Sequence, residues 1–192
     1  MNLKFNRDWY SIVVCPQQEV TDEVAMMKDK FAAKIGWYTS RNSKAHITVV
    51  AFMADQYELA FYIKQLEKFC YSQKQQAVVF DQLSLSKFSH AAVVLPNGSS
   101  KPYLSDLLKR LRKQLKTTST QNGSNAHISI GRELSSAQID LAENLYDNVS
   151  LTFNCDTVAI RKLDKIKRQF EIIKTFKFLE NPLIDAQYSL FN

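Results

Sequence analysis

A short segment that occurs twice constrains the fold of this chain more than any other feature. The tetrapeptide His46-Ile47-Thr48-Val49 recurs as His127-Ile128-Ser129-Ile130, and the two copies contain two of the three histidines in the 192 residues. A serine and an alanine precede each copy at the same spacing. Polar and apolar residues alternate in both copies, as in a half-buried β-strand. Such a strand carries its imidazole and its hydroxyl on one face. Two such strands side by side could therefore bind one phosphate group between them.

Strand and helix patterns alternate along the chain and surround both copies in a similar way. Each copy is followed by a helix with a capping pair, Asp55 with Glu58 in the first case and Ser135 with Gln138 in the second. We expect strands over residues 9–15, 46–53, 77–85, 91–95 and 127–131, and a closing hairpin of two long β segments, 150–163 and 169–179. We expect helices over residues 20–35, 55–71, about 102–116, and from 135 through Leu145 and Tyr146. Residues 117–125 are expected to form a loop and 180–192 a tail.

This pattern predicts one domain over residues 1–192, built from two related βα lobes. The composition, with 45% hydrophobic and 11% aromatic residues, is typical of a globular protein. The first residues lack the apolar run of a secretory signal, and no stretch is apolar enough to cross a membrane, so we expect a cytoplasmic protein without membrane contact. The three cysteines are far apart, which indicates reduced and mostly buried thiols. We expect neither a metal site nor a cofactor.

The net charge of +6 favours a polyanionic partner such as RNA or a nucleotide. The densest basic run, residues 109–116, lies on a helix whose leucines form an apolar stripe. We therefore interpret those charges as the solvated face of a helix and not as a nucleic-acid contact. The sequence does not indicate a protein partner.

The duplicated residue types suit acid–base chemistry at phosphorus. Histidine has an ordinary pKa near 6.5, so near neutral pH one copy can be neutral and act as a base while the other is charged and acts as an acid. The hydroxyls of Thr48 and Ser129 would offset charge on the phosphoryl oxygens. For one copy alone, a buried structural histidine beside an ordinary β-forming residue is the better interpretation. The duplication reverses that preference, and His46 and His127 become the candidate catalytic pair.

Other polar residues near the two copies are weaker candidates. Arg132 directly follows the second copy and is a candidate phosphate clamp or a solvent-facing charge. Lys44 precedes the first copy and is better interpreted as a solvated loop lysine than as a phosphate contact. His90 has no duplicate, and we assign it to the surface or a strand end. The aromatic residues considered for stacking on a base, for most of which core packing is the better interpretation, are Trp37, Tyr38, Phe52 and Phe88.

On these two motifs the sequence resembles the 2H phosphoesterase superfamily, which is defined by two H-x-[ST]-x motifs, and within it the bacterial 2′-5′ RNA ligase-like and cyclic phosphodiesterase branch. The resemblance implies an α+β, bilobal fold of two antiparallel sheets with duplicated βα topology around a central cleft. It also implies metal-independent attack on 2′,3′-cyclic phosphates or related nucleotides. By the same resemblance His46 and His127 form the acid–base pair, in either order, and Thr48 and Ser129 bind the phosphate.

Three functional hypotheses follow from the sequence. The first is an enzyme that opens 2′,3′-cyclic phosphates of nucleotides or RNA ends. The second is a non-catalytic module that binds nucleotides or RNA in the same cleft, which intact histidines in both copies disfavour. The third is an α+β protein in which the repeat is a coincidence. Base and chain-length selectivity would lie in loops such as 36–43 and 117–125.

Overall fold

Two antiparallel β-sheets line a central cleft, and α-helices cover the faces that point away from it. We describe a computed structural model, which covers residues 6–117, 120–122, 125–143, 145–146 and 148–182, with the backbone alone for 120–122. The α+β class and the two-sheet architecture predicted from the sequence are confirmed. Ser124 and most of the expected tail lie outside the described residues.

The helices and strands follow one another in the order of the chain. They are β1 Asp8–Val14, α1 Gln18–Ile35, β2 Ile47–Ala54, α2 Gln56–Ser72, β3 Gln76–Ser86, β4 Ala91–Pro96, α3 Ser100–Leu115, β5 Thr120–Asn122, β6 Ile128–Arg132, α4 Ser136–Ala142, β7 Leu151–Cys155, β8 Thr157–Asp164 and β9 Gln169–Lys177. Both predicted capping boxes are present, at Asp55 with Glu58 and at Ser135 with Gln138. These reciprocal hydrogen bonds begin α2 and α4 at the residues that the sequence indicates.

The two sheets are interlocked by elements from both halves of the chain. One sheet has the strand order β5-β2-β1-β8-β9 and the other β6-β4-β3-β7, and all neighbouring strands are antiparallel. Helix α1 precedes β2 in the chain but packs on β6 and β7 of the other sheet, and α3 precedes β6 but contacts β2. Each sheet is therefore packed in part by a helix that precedes a strand of the other sheet in the chain.

The repeat is visible in the strand pairing as well as in the sequence. Strand β2 carries the first copy and pairs with β1, which places Val13 opposite Thr48. Strand β6 carries the second copy and pairs with β4, which places Val93 opposite Ser129. The partner strands thus hold the same residue type against the hydroxyl of each copy. This structural duplication extends the sequence repeat to a second strand in each sheet.

A β-bulge follows the hydroxyl residue in both copies. The register shifts by one residue after Thr48, so Val49 has no direct partner on β1, and after Ser129 the same shift leaves Ile130 without one on β4. A bulge inserts an extra residue and turns the strand locally. Consequently two successive residues face the core in each strand, Val49 with Val50 and Ile130 with Gly131.

The sequence-based boundaries were wrong in four places. The single β segment expected over residues 150–163 is two strands that belong to different sheets, because the chain changes sheet at Asp156, where the apolar alternation has no break. The loop expected over 117–125 contains β5, which pairs with β2. Helix α4 ends at Ala142, so Leu145 and Tyr146 pack on the core from outside it. His46 and His127 lie one residue before their strands.

Candidate active site

The cleft between the sheets has a volume of about 1110 Å³ and is lined by both copies of the repeat. His46 and Thr48 contribute from one sheet, and His127 and Ser129 from the other. All four side chains are half-buried. The structure therefore places the four residues that the sequence selected around one cleft.

The two imidazole rings are held in the same way. Nδ1 of His46 lies 2.6 Å from the carbonyl oxygen of Lys44, and Nδ1 of His127 lies 2.8 Å from that of Asn125. A carbonyl oxygen only accepts, so Nδ1 carries a proton and donates in both copies. The acid–base chemistry of each ring is then left to Nε2.

Each bulge accepts a hydrogen bond from a side chain that lies outside the repeat. The carbonyl oxygen of Val49 accepts a hydrogen bond from Nε of Arg112 at 2.8 Å. The carbonyl oxygen of Ile130 accepts one from the hydroxyl of Tyr38 at 3.1 Å. A buried carbonyl that lacks its sheet partner is costly unless another donor reaches it. Arg112 belongs to the basic run on α3 interpreted from the sequence as a solvated helix face. At least this residue of the run is instead used to stabilise the bulge in β2.

Arg161 on β8 adds a buried positive charge to the first half of the cleft. Its side chain is 9% exposed, and its guanidinium stacks over the ring of Phe170. One terminal nitrogen lies 3.2 Å from Oγ of Ser11, and the other lies 3.2 Å from Nδ1 of His46. That second contact is a close approach and not a hydrogen bond, because Nδ1 already donates to the nearer carbonyl of Lys44. Nε of Arg161 is buried and has no hydrogen-bond partner among the described residues.

His46 is therefore held in its neutral form. Burial lowers the pKa of His46 to about 3, and the positive charge of Arg161 acts in the same direction. Burial also lowers the pKa of Arg161 to about 10, which leaves the guanidinium charged at neutral pH. A neutral imidazole thus stands beside a permanent cation at the end of the cleft that belongs to the first sheet.

A buried lysine anchors the loop that leads into the first copy. Nζ of Lys28, on α1, donates to the carbonyl oxygen of Ser43 at 2.6 Å and to its hydroxyl at 2.9 Å. Burial lowers the pKa of Lys28 to about 8, and Arg132 contributes to the shift. The same loop reaches the second copy, because the hydroxyl of Ser40 accepts from the backbone N–H of Arg132 at 2.9 Å. This loop therefore couples the two halves of the site.

The weaker candidates fall into two groups. Lys44 and Arg132 are exposed and line the cleft. The aromatic residues proposed for stacking do not line it: Tyr38 and Phe52 are in the core, whereas Trp37 and Phe88 are 69% and 98% exposed elsewhere. The rings that line the cleft belong to Trp9 and Phe170 instead.

Arg161 is the site residue that sequence reasoning missed, although a signal for it exists. It is a charged residue in β8, Thr157–Asp164, that directly follows the three buried aliphatic residues of that strand. An arginine in such a strand needs a reason to be buried, since a buried charge is costly unless partners surround it. The pairing of Ser11 with Arg161 across β1 and β8 places it on the cleft face.

The described residues contain no group of three or more His, Cys, Asp or Glu side chains that could hold a metal ion. The cysteines Cys15, Cys70 and Cys155 are free thiols and two of them are buried, as expected. Over the part of the chain that the structure describes, no helix is both long and apolar enough to cross a membrane.

Comparisons with known proteins identify a family and a set of similar folds. The family model described as the 2′-5′ RNA ligase superfamily matches residues 16–167. The fold is similar to that of E. coli LigT complexed with 3′-AMP, with a TM-score of 0.69 and 10% identity over 90% of this chain and 99% of LigT. It is also similar to TT0787 of Thermus thermophilus, with a TM-score of 0.63 and 11% identity over 91% and 100% of the two chains.

A third similar fold is Kluyveromyces marxianus Usb1, with a TM-score of 0.56 and 12% identity over 88% of this chain and 98% of Usb1. A search of curated protein sequences gives no match. At these identities the solved structures establish a shared fold.

Proposed function

The chain belongs to the 2′-5′ RNA ligase superfamily, and from this membership we propose that it is a phosphoesterase that hydrolyses 2′,3′-cyclic phosphates of nucleotides or RNA ends without a metal ion. One observation carries the proposal. Both copies of the repeat line one cleft, and their imidazoles are oriented by the same Nδ1 hydrogen bond. LigT, which has a similar fold, has been crystallised with 3′-AMP, a phosphomonoester, and with phosphate.

In the proposed reaction the two histidines move one proton each. Nε2 of neutral His46 takes a proton from water, and the water oxygen attacks the phosphorus. The bond from phosphorus to one ribose oxygen breaks, and Nε2 of His127, in the role of the acid, gives that oxygen a proton. The products are a phosphomonoester and a free ribose hydroxyl. The lowered pKa of His46 is the reason for giving it the role of base.

The remaining polar groups of the cleft would hold the phosphate. The hydroxyls of Thr48 and Ser129 donate to the non-bridging oxygens, whose charge grows in the transition state. Arg161 and Arg132 supply positive charge from the two sides, and the fork of a guanidinium matches two phosphate oxygens. Arg161 is already desolvated, so little reorganisation is needed when the phosphate binds. Lys44 is in reach of the cleft as a weaker third cation.

The experiment is to incubate the protein with a 2′,3′-cyclic mononucleotide and a chelator, and to follow the product by phosphorus NMR. We expect a phosphomonoester to form. His46→Asn and His127→Asn should each strongly slow its formation, because asparagine can still donate to the backbone carbonyl as Nδ1 does but has no group in the place of Nε2. Phe88→Ala is the matched control, since Phe88 is exposed and lies outside the cleft.

Two results would overturn this function. If the wild-type protein forms no product but binds the cyclic nucleotide, the non-catalytic binding module is the correct interpretation. If product forms and neither asparagine variant reduces it, the reaction occurs elsewhere on the molecule. Thermal unfolding of each variant shows whether a loss of product reflects a loss of folding.

A further inference from the structure

A second pocket of about 690 Å³ adjoins the cleft on the side of the second sheet. Four residues of the cleft line this pocket too: His127, Ser129, Arg132 and Glu133. Its far wall contains His90, the third histidine of the chain, and we call it the His90 pocket. The proposed reaction uses only the near edge of the His90 pocket, so the rest of it is unassigned.

The ring of His90 makes the same kind of hydrogen bond as the two histidines of the repeat. Its Nδ1 lies 3.0 Å from the carbonyl oxygen of Leu134, and the backbone N–H of Leu134 donates to the carbonyl oxygen of His90 at 3.0 Å. All three histidines therefore donate from Nδ1 to a main-chain carbonyl. His90 also has a φ of 52°, a left-handed conformation that non-glycine residues seldom adopt. Because Nδ1 is engaged with Leu134, Nε2 is the ring nitrogen that His90 has left for a ligand in the pocket that it lines.

The position of His90 is too far from the reaction centre for it to share the same phosphate. Ala91, which follows His90, pairs with Arg132 on the neighbouring strand, at the opposite end of β6 from His127. At about 3.3 Å per residue the two histidines lie roughly 15 Å apart along the strands. A phosphate held by His46 and His127 leaves His90 unused. A ligand that contacts all three histidines must be longer than a mononucleotide.

From this arrangement we infer that the His90 pocket binds a phosphodiester group upstream of the terminal nucleotide, so that the substrate is the end of an oligoribonucleotide. This inference rests on the proposed function. In the proposed complex Nδ1 of His90 donates to the carbonyl oxygen of Leu134, and a proton on Nε2 is donated to an oxygen of the upstream phosphate. Arg132 lies between the two sites and lines both of them. Glu133 repels phosphate but accepts from a ribose hydroxyl, which DNA lacks at the 2′ position.

The test compares two substrates that share the same reacting group. They are a mononucleoside 2′,3′-cyclic phosphate and a trinucleotide that ends in the same cyclic phosphate, and the readout is the ratio of their kcat/KM values. We expect the wild-type protein to prefer the trinucleotide about tenfold, the size of one added hydrogen bond between charged groups.

Two substitutions separate the role of Nε2 from the role of the fold. In His90→Asn the side-chain amide can still donate to Leu134, and asparagine tolerates the left-handed backbone, but the group at Nε2 is gone. We expect its ratio to fall about tenfold. In His90→Gln the amide nitrogen reaches the place of Nε2, so most of the preference should be retained. Phe88→Ala is the control on the same hairpin and should leave the ratio unchanged.

The inference is wrong if the wild-type protein turns over both substrates with similar kcat/KM values. It is also wrong if His90→Asn leaves the ratio of the two kcat/KM values unchanged, whether or not both values fall. If the wild-type protein turns over neither substrate, the proposed function has failed by itself. Calorimetric binding of a 3′-phosphorylated trinucleotide and of a 3′-mononucleotide then tests the pocket directly. Tighter trinucleotide binding that His90→Asn removes supports the inference, and equal binding of both ligands refutes it.

Discussion

The two halves of the cleft carry the same motif in different surroundings. In both, Nδ1 of the histidine donates to the carbonyl two residues earlier, a valine faces the hydroxyl, and a β-bulge follows. The first copy lies on β2, which has neighbours on both sides, whereas the second lies on the edge strand β6. Among the described residues, the buried arginine is Arg161, and it lies against the imidazole of the first copy.

This comparison separates what a local motif dictates from what its surroundings add. In each copy the imidazole ring is oriented by a hydrogen bond to a carbonyl two residues earlier in the chain. This bond occurs twice because the short segment that makes it occurs twice. Burial lowers the pKa of His46, and the largest charge that adds to this effect is that of Arg161 on β8, which lies outside the motif. Two identical side chains are thus placed in different surroundings, as a reaction with one base and one acid requires.

The largest expected effect concerns both histidines together. His46→Asn and His127→Asn should each reduce kcat by about 10² to 10⁴-fold, the usual contribution of general acid–base catalysis. The double variant should be little worse than either single one, because the two residues act in the same step. Steady-state or single-turnover kinetics on a cyclic mononucleotide measure this. Losses that multiply would show that the two halves act independently.

The next effect concerns the asymmetry that Arg161 creates. Arg161→Met should lower kcat/KM about 10 to 100-fold through the lost phosphate contact, and it should also raise the pKa of His46. His46 acts as a base only in its neutral form. The wild-type protein should therefore stay active as the pH falls below about 6.5, the ordinary pKa of histidine, and Arg161→Met should lose its activity at a higher pH than the wild type does.

The matched variant for this prediction is Arg161→Lys, which keeps the positive charge but loses the planar fork. It should lower kcat/KM and leave the acid limb of the kcat/KM profile near its wild-type position. An acid limb that stays in place in Arg161→Met would show that Arg161 has no electrostatic effect on His46.

A smaller effect concerns a position where the two copies differ. Val50 and Gly131 occupy equivalent places, four residues after each histidine. A Cβ at Gly131 would lie 3.0 Å from the side chains of both Leu134 and Phe31. Gly131→Val should therefore cost about 1–3 kcal/mol of unfolding free energy, as overpacking usually does, measured by urea denaturation.

Gly98→Ala is the control for that measurement, because a Cβ at Gly98 meets no atom within 4 Å. It should leave the unfolding free energy unchanged to within about 0.5 kcal/mol. An equal loss in the two variants would show that the close approach of Phe31 from α1 does not require glycine in the second copy.

The smallest effect is expected when the hydroxyl residues of the two copies are exchanged. Thr48→Ser and Ser129→Thr should each change kcat/KM by no more than about threefold, since either residue donates one hydroxyl hydrogen bond. Thr48→Ala and Ser129→Ala should lose considerably more. If the exchange is as harmful as the alanine variants, the methyl group and not the hydroxyl distinguishes the two halves.

Local patterns were sufficient for much of the fold. The capping pairs at Asp55 and Ser135 begin helices where the sequence indicates, because capping bonds join residues three apart in the chain. The change of sheet at Asp156 was not foreseeable, since β7 and β8 have the same strand-like pattern and differ only in their partners. Strand β5 was missed for a similar reason: its polar sequence forms a strand by pairing with β2.

The amino-acid sequence by itself determined the four side chains of the repeat and, through contacts with near neighbours, the orientation of both imidazoles. Tertiary structure alone decided that the two copies share one cleft and that Arg161, 115 residues from His46 in the chain, lies against it. It also decided that His90 lines a pocket continuous with that cleft. The physical reason is range: hydrogen bonds that orient a ring act between near neighbours in the chain, whereas burial and charge depend on every strand that packs around the site.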